Sequence, residues 1–99
     1  MSETDQWPFP CPRTQAAFTS LGVVDGSDWV QFVSHDEDDG AWQFHPPGPK
    51  VSFDEIVALH LGCVLALDET LAALADLPRG WRAYRGSPTS EWVRFHPEA

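Results

Sequence analysis

The chain has 99 residues, 42% of them apolar and 21% charged, which suits one domain with one core; a chain this size buries roughly 60 to 70% of the surface exposed by its unfolded form. A formal net charge of -9 counts against a nucleic-acid backbone, whose phosphates need Lys and Arg to displace condensed counterions, and suits either plain solubility or a basic protein partner. Cys11 and Cys63 form no Cys-x-x-Cys pair and read as reduced thiols, the start is acidic with no apolar leader, and the apolar stretch around Leu61 to Leu67 is too short to span a bilayer; a cytosolic protein is expected.

Residues 1–12 hold Pro8, Pro10 and Pro12 around Trp7 and Phe9, a composition that favours an extended arm over helix or sheet. Docked on the body, the two aromatic rings stabilise the arm by burial; left exposed, they are an interaction site. Residues 13–99 then form the single domain. The β-branched run from Ala17 to Val24 leads to Asp25-Gly26, a turn dipeptide, and predicts a first hairpin whose second strand starts at Asp28.

That second strand continues into Trp29–Phe44, two alternating runs joined by the acidic turn Asp36-Glu-Asp-Asp-Gly40. Pairing His35 with Ala41 places Phe32 opposite Phe44 and Ser34 opposite Trp42, with Val30, Phe32, Trp42 and Phe44 on one face and Gln31, His35, Gln43 and His45 on the other. A tighter Asp39-Gly40 turn would put Trp42 and Phe44 with Val33 and His35 instead; the longer turn is the favoured reading. His45-Pro-Pro-Gly-Pro49 breaks the ladder.

Ser52 and Glu55 make a capping box, and Phe53, Ile56, Val57, Leu61, Val64 and Leu65 recur at helical spacing, weakened by Gly62. Asp68 offers a second N-cap, and Leu77-Pro78 closes that helix. Trp81–Arg85 and Glu91–Phe95 alternate again across Gly86-Ser-Pro-Thr89, a last hairpin. The expected class is α+β: a mainly antiparallel sheet in the order βββ-αα-ββ, with two short helices packed on one face.

Chemistry is less legible. From Asp36 the acidic alternation puts Gly40 at the fifth position, where a calcium-binding EF-hand loop needs glycine at the sixth. His35, His45, His60 and His96 lack metal-site spacing, although His35, Asp36 and His45 define the alternative of a small metal-dependent hydrolase. Ser34 and His35 point to opposite faces of a strand, so they are no nucleophile-base pair. Arg82 and Arg85 interleave with Trp81, Tyr84 and Trp92, a pattern that stacks single-stranded nucleic acid; arginines on a sheet more often cover aromatic rings or meet carboxylates. The densest signal is therefore the acidic turn, with Asp36, Glu37, Asp38, Asp39 and the nearby Trp42 as candidate partner-binding residues.

Two pieces, Val33-Ser-His-Asp-Glu-Asp-Asp-Gly-Ala-Trp-Gln-Phe44 and Leu77-Pro-Arg-Gly-Trp81, carry a resemblance that spans roughly Thr14 to Arg94. In their order the chain is similar to small bacterial proteins of unknown function and to the immunity-protein branch of polymorphic toxin systems, where an acidic turn with Gly and Trp precedes a strand. This chain differs from that branch in His45-Pro-Pro-Gly-Pro49 and in added residues around His60 to Leu67. The resemblance implies a non-enzymatic cytosolic protein that binds another protein, such as a basic toxin; a monomer or homodimer without cofactor is expected. A structural or regulatory domain is a further alternative.

Overall fold

Among the described residues, six strands form a mixed sheet in the order β4-β1-β3-β2-β5-β6. They are β1 (Ala16–Ser20), β2 (Phe32–His35), β3 (Trp42–His45), β4 (Ile56–His60), β5 (Arg82–Tyr84) and β6 (Val93–Phe95). Helix α1 (Leu21–Asp25) follows β1, α2 (Leu61–Leu67) follows β4, and 3-10 segments cover Phe53–Glu55 and Glu69–Leu74. The computed structural model describes residues 7–48 and 53–97. The class is α+β, with the helices interleaved among the strands and one parallel pair, β1 with β3. Among the described residues no helix is long and apolar enough to cross a membrane.

The expected first hairpin is replaced by a strand and a one-turn helix. Ser20 lies within the apolar run and its Oγ accepts from the Val23 N–H (3.3 Å), so the chain leaves β1 at a helix cap. The Asp25-Gly26 signal is real, but Gly26 (φ 87°) supplies the left-handed residue that ends α1. β1 then pairs with β3 and β4 instead of the strand after Asp28.

Ile56–His60 is a strand where helical spacing pointed to a helix. The run Ile-Val-Ala-Leu-His obeys both periods: Val57 and Leu59 turn inward while Ile56, Ala58 and His60 are exposed, which is period two. A short apolar run cannot be assigned by spacing alone, and antiparallel pairing with all five residues of β1 decides it. Ser52 of the capping box lies outside the described residues, as do Met1–Gln6 and Pro49. Downstream, Asp68 does cap the Glu69–Leu74 segment, accepting from the Thr70 N–H (3.0 Å), and β5 pairs with β6 as the last hairpin.

The β2–β3 hairpin forms with its register shifted by one residue. Its pairs are Phe32 with His45, Val33 with Phe44, Ser34 with Gln43 and His35 with Trp42. The cause is the turn, in which Asp36, not His35, pairs with Ala41. The slip turns β2 over relative to β3, so Trp42 and Phe44 share a face with Val33 and His35, the grouping the tighter turn predicts, and not with Phe32. Val33, Trp42 and Phe44 thus join Ala17, Ala83, Leu61, Val64, Leu71, Leu74 and Leu77 in the core under the helices, with Phe9 of the N-terminal arm seated edge-on against Trp42. Phe32 lies on the opposite, open face with Phe18, Tyr84, Val93 and Phe95, where Phe18, Tyr84 and Val93 are exposed.

Candidate functional site

The acidic turn is held by its own backbone and side chains. The Asp36 N–H donates to the Ala41 carbonyl (2.8 Å), and the Gly40 N–H returns to the Asp36 carbonyl (3.1 Å). Asp39 Oδ1 accepts from the Ala41 N–H (3.0 Å), the local bond that makes Asp a turn residue. Gly40 takes φ 74°, and a Cβ there would lie 2.6 Å from the Arg79 guanidinium, so that arginine rests against the bare glycine. The loop is therefore held in shape by its own hydrogen bonds.

The acids do not act alike. Asp36 is half-buried, and its Oδ2 accepts from Gln43 Nε2 (2.9 Å), bracing the base of the hairpin. Glu37, Asp38 and Asp39 are exposed, and among the described residues none of them forms an ion pair. Trp42 is 1% exposed, stacked on His35 (3.9 Å, 14°) and on Phe44 (6.2 Å). It supports the turn from beneath and presents no surface to a partner. Among the described residues its indole N–H has no hydrogen-bond acceptor.

His35 and His45 face opposite ways. His35 Nδ1 lies 2.8 Å from the Leu77 carbonyl, which can only accept, so Nδ1 carries the proton. His45 sits on the open face beside Phe32 (5.7 Å), where burial lowers its pKa below the usual histidine value, opposed by the Asp36 carboxylate. The His35, Asp36 and His45 set therefore does not converge on one point. Among the described residues no three His, Cys, Asp or Glu gather into a metal-binding group.

Two arginines of the last hairpin, Arg85 and Arg94, are engaged in packing, whereas Arg82 is exposed. Arg85 is 2% exposed; Nε donates to the Val30 carbonyl (2.9 Å), Nη1 to Thr70 Oγ1 (3.0 Å) and the Pro88 carbonyl (3.1 Å), and Nη2 to Asp68 (3.0 Å). Its guanidinium carbon stands 4.3 Å from the centre of Trp92 and 5.8 Å from that of Trp29. Arg94 pairs with Asp76 (2.7 Å) and donates to the Ala73 carbonyl (2.7 Å); the hydrogen bond from Arg94 lowers the Asp76 pKa. Arginines that meet carboxylates and cover rings are the ordinary sheet pattern.

A second loop completes the site. The His35 N–H donates to the Trp81 carbonyl (3.1 Å) and the Gly80 N–H to the His35 carbonyl (2.7 Å), so Leu77–Trp81 is laced to the end of β2 beside the acidic turn. Ser34, Asp36, Glu37, Gly80, Arg82 and His96 surround a cleft of about 150 Å³ there, room for a few water molecules. Arg79 and His96 were not legible as neighbours of the turn, because their proximity depends on β5 and β6 pairing beyond β2. No protein-family model matches the chain. Neither a curated protein nor a solved structure matches it significantly.

Proposed function

We propose that the chain is a non-enzymatic, cytosolic, acidic binding domain that occludes a basic protein, using the β2–β3 turn as its contact. The observation that carries the reading is the exposure of Glu37, Asp38 and Asp39 on a turn whose backbone is already fixed by internal hydrogen bonds. A preorganised loop loses little conformational freedom on docking, and its charge accelerates encounter with a surface of opposite sign. The overall charge of -9 adds to the same field. Similarity to toxin-neutralising immunity proteins, carried by the acidic turn and by Leu77–Trp81, makes a basic toxin the favoured partner class. The contact between those two segments gives them a common surface.

The test is affinity capture from lysate of the native cell, comparing wild type with the triple variant Glu37→Gln, Asp38→Asn, Asp39→Asn. Asn at position 39 keeps the turn hydrogen bond, so the variant changes charge and little else. A basic protein is expected on the wild type, released by salt and lost by the variant. Equal capture by both, with equal salt dependence, rejects the turn as the contact.

A further inference from the structure

We infer that two copies of this chain associate through their β4 edges, joining their sheets antiparallel about a two-fold axis at Ala58. Hydrogen-bond parity decides which backbone groups of β4 face outward. The Leu61 N–H donates to the Gln15 carbonyl (2.9 Å), in line with the β1–β4 register that opposes Leu59 to Ala17 and Val57 to Thr19. Antiparallel residues alternate between bonding inward and outward, so Val57 and Leu59 bond to β1 while the backbone groups of Ile56, Ala58 and His60 point away from the sheet. Two of those outward groups are already used. The Ile56 N–H closes the 3-10 segment Phe53–Glu55, and the His60 carbonyl, at the N-cap of α2, opens that helix.

What is left is self-complementary. Each edge offers the N–H and C=O of Ala58, the C=O of Ile56 and the N–H of His60. With Ala58 opposite Ala58 of the second copy, His60 meets Ile56 and every remaining donor finds an acceptor, giving four hydrogen bonds. The two engaged groups face each other at the ends, where the pairing does not need them. Such an isologous arrangement closes at two copies.

The side chains permit the approach. Ile56, Ala58 and His60 are exposed, β4 carries no Lys, Arg, Asp, Glu or Pro, and its register with β1 runs without a bulge. Edges are normally protected by shortness or by charge; β6, the opposite edge, has three residues and bears Arg94, whereas β4 has five and neither protection. Antiparallel pairing also manages the acidity. Asp54 and Glu55 precede β4, and the two copies of Glu55 lie six residues apart along the joined strands, roughly 20 Å at about 3.4 Å per residue. That exceeds the screening length of about 8 Å at physiological salt. Ala58 on the axis brings its small side chain against its own copy. An edge of five residues buries less than the roughly 1,200 Å² of a stable complex, so the dimer is weak and concentration-dependent.

Sedimentation velocity of the full chain across the micromolar to millimolar range tests this, with wild type, Ala58→Pro and Ala58→Lys. Proline at 58 removes an outward N–H and leaves the β1 ladder intact; lysine sets two ammonium groups opposite each other. The wild-type mass is expected to rise toward twice the monomer while both variants remain monomeric, with circular dichroism checking their fold. If Ala58→Pro does not fold, Ala58→Lys decides alone. A wild type that stays monomeric throughout, or a folded variant that dimerises like the wild type, overturns the inference. The register has its own readout: Ala58→Cys in a Cys63→Ser background should oxidise to a 58–58 cross-link, since bonded antiparallel pairs stand about 5.5 Å apart at Cα, within disulfide reach.

Discussion

Replacing Arg85 by Met keeps much of the side-chain length and removes the guanidinium, and the structure sets the size of the effect. The Val30 carbonyl loses its Nε donor at a buried site, a loss of about 1 to 3 kcal/mol for an acceptor left unpaired. The bond to Asp68 is charge-assisted and ordinarily worth about 1.5 to 3 kcal/mol, but the Asp68 side chain keeps 26% of its surface, so water compensates part of that loss. The contacts with Thr70, Pro88 and the two Trp rings contribute less, while the methionine stem still packs between those rings. The sum is about 3 kcal/mol. For a domain of this size it lowers Tm by roughly 12 to 24 °C, since each kcal/mol shifts Tm by about 4 to 8 °C. Urea unfolding followed by Trp fluorescence is the assay, and Trp29 and Trp92 report directly because they flank the guanidinium. Arg85→Lys should recover only part of the loss, because one ammonium cannot reach the Val30 carbonyl, Thr70 and Asp68 together. A loss below about 1 kcal/mol for Arg85→Met would refute the view that this residue ties β5 to the Asp68 cap.

Two further outcomes follow from single side chains. His45 has its pKa lowered mainly by burial, so between that value and the unfolded value of 6.5 the unfolded chain binds the extra proton; stability present above pH 6.5 should fall as the pH drops through the folded pKa. Urea midpoints at pH 7.5 and 5.5 should show that this contribution to the slope disappears in His45→Gln, and an unchanged slope would count against it. Trp42→Phe removes an indole N–H that has no acceptor, which offsets part of the lost packing; it should cost under about 2 kcal/mol where Trp42→Ala costs about 3 to 5. Chemical denaturation of both variants checks these values, and a loss for Trp42→Phe well above about 2 kcal/mol would show that removing the unpaired donor does not offset the lost packing.

What the sequence by itself determined is local. The Asp68 cap, the Asp25-Gly26 turn signal, the break after His45, the acidic turn and the last hairpin depend on neighbours within a few residues, where capping bonds and backbone preferences act. The exposure of Glu37, Asp38 and Asp39 belongs with these, since three carboxylates in succession cannot all be buried. Tertiary pairing decided the rest. Ala17–Val24 and Ile56–Leu67 each satisfy strand and helix patterns; the β1–β4 ladder fixes the strand part of both runs, and the Ser20 cap then starts the helix of the first. The faces of the acidic hairpin turned on a single residue of register, set by Asp36 pairing with Ala41, and that slip put Val33 in place of Phe32 beside Trp42 and Phe44, leaving Phe32 on the open face. Arg85 became a core residue because Val30, Thr70 and Asp68, distant in sequence, converge on its donors. A sheet joins residues far apart along the chain, so its strand order and register are properties of the assembled fold.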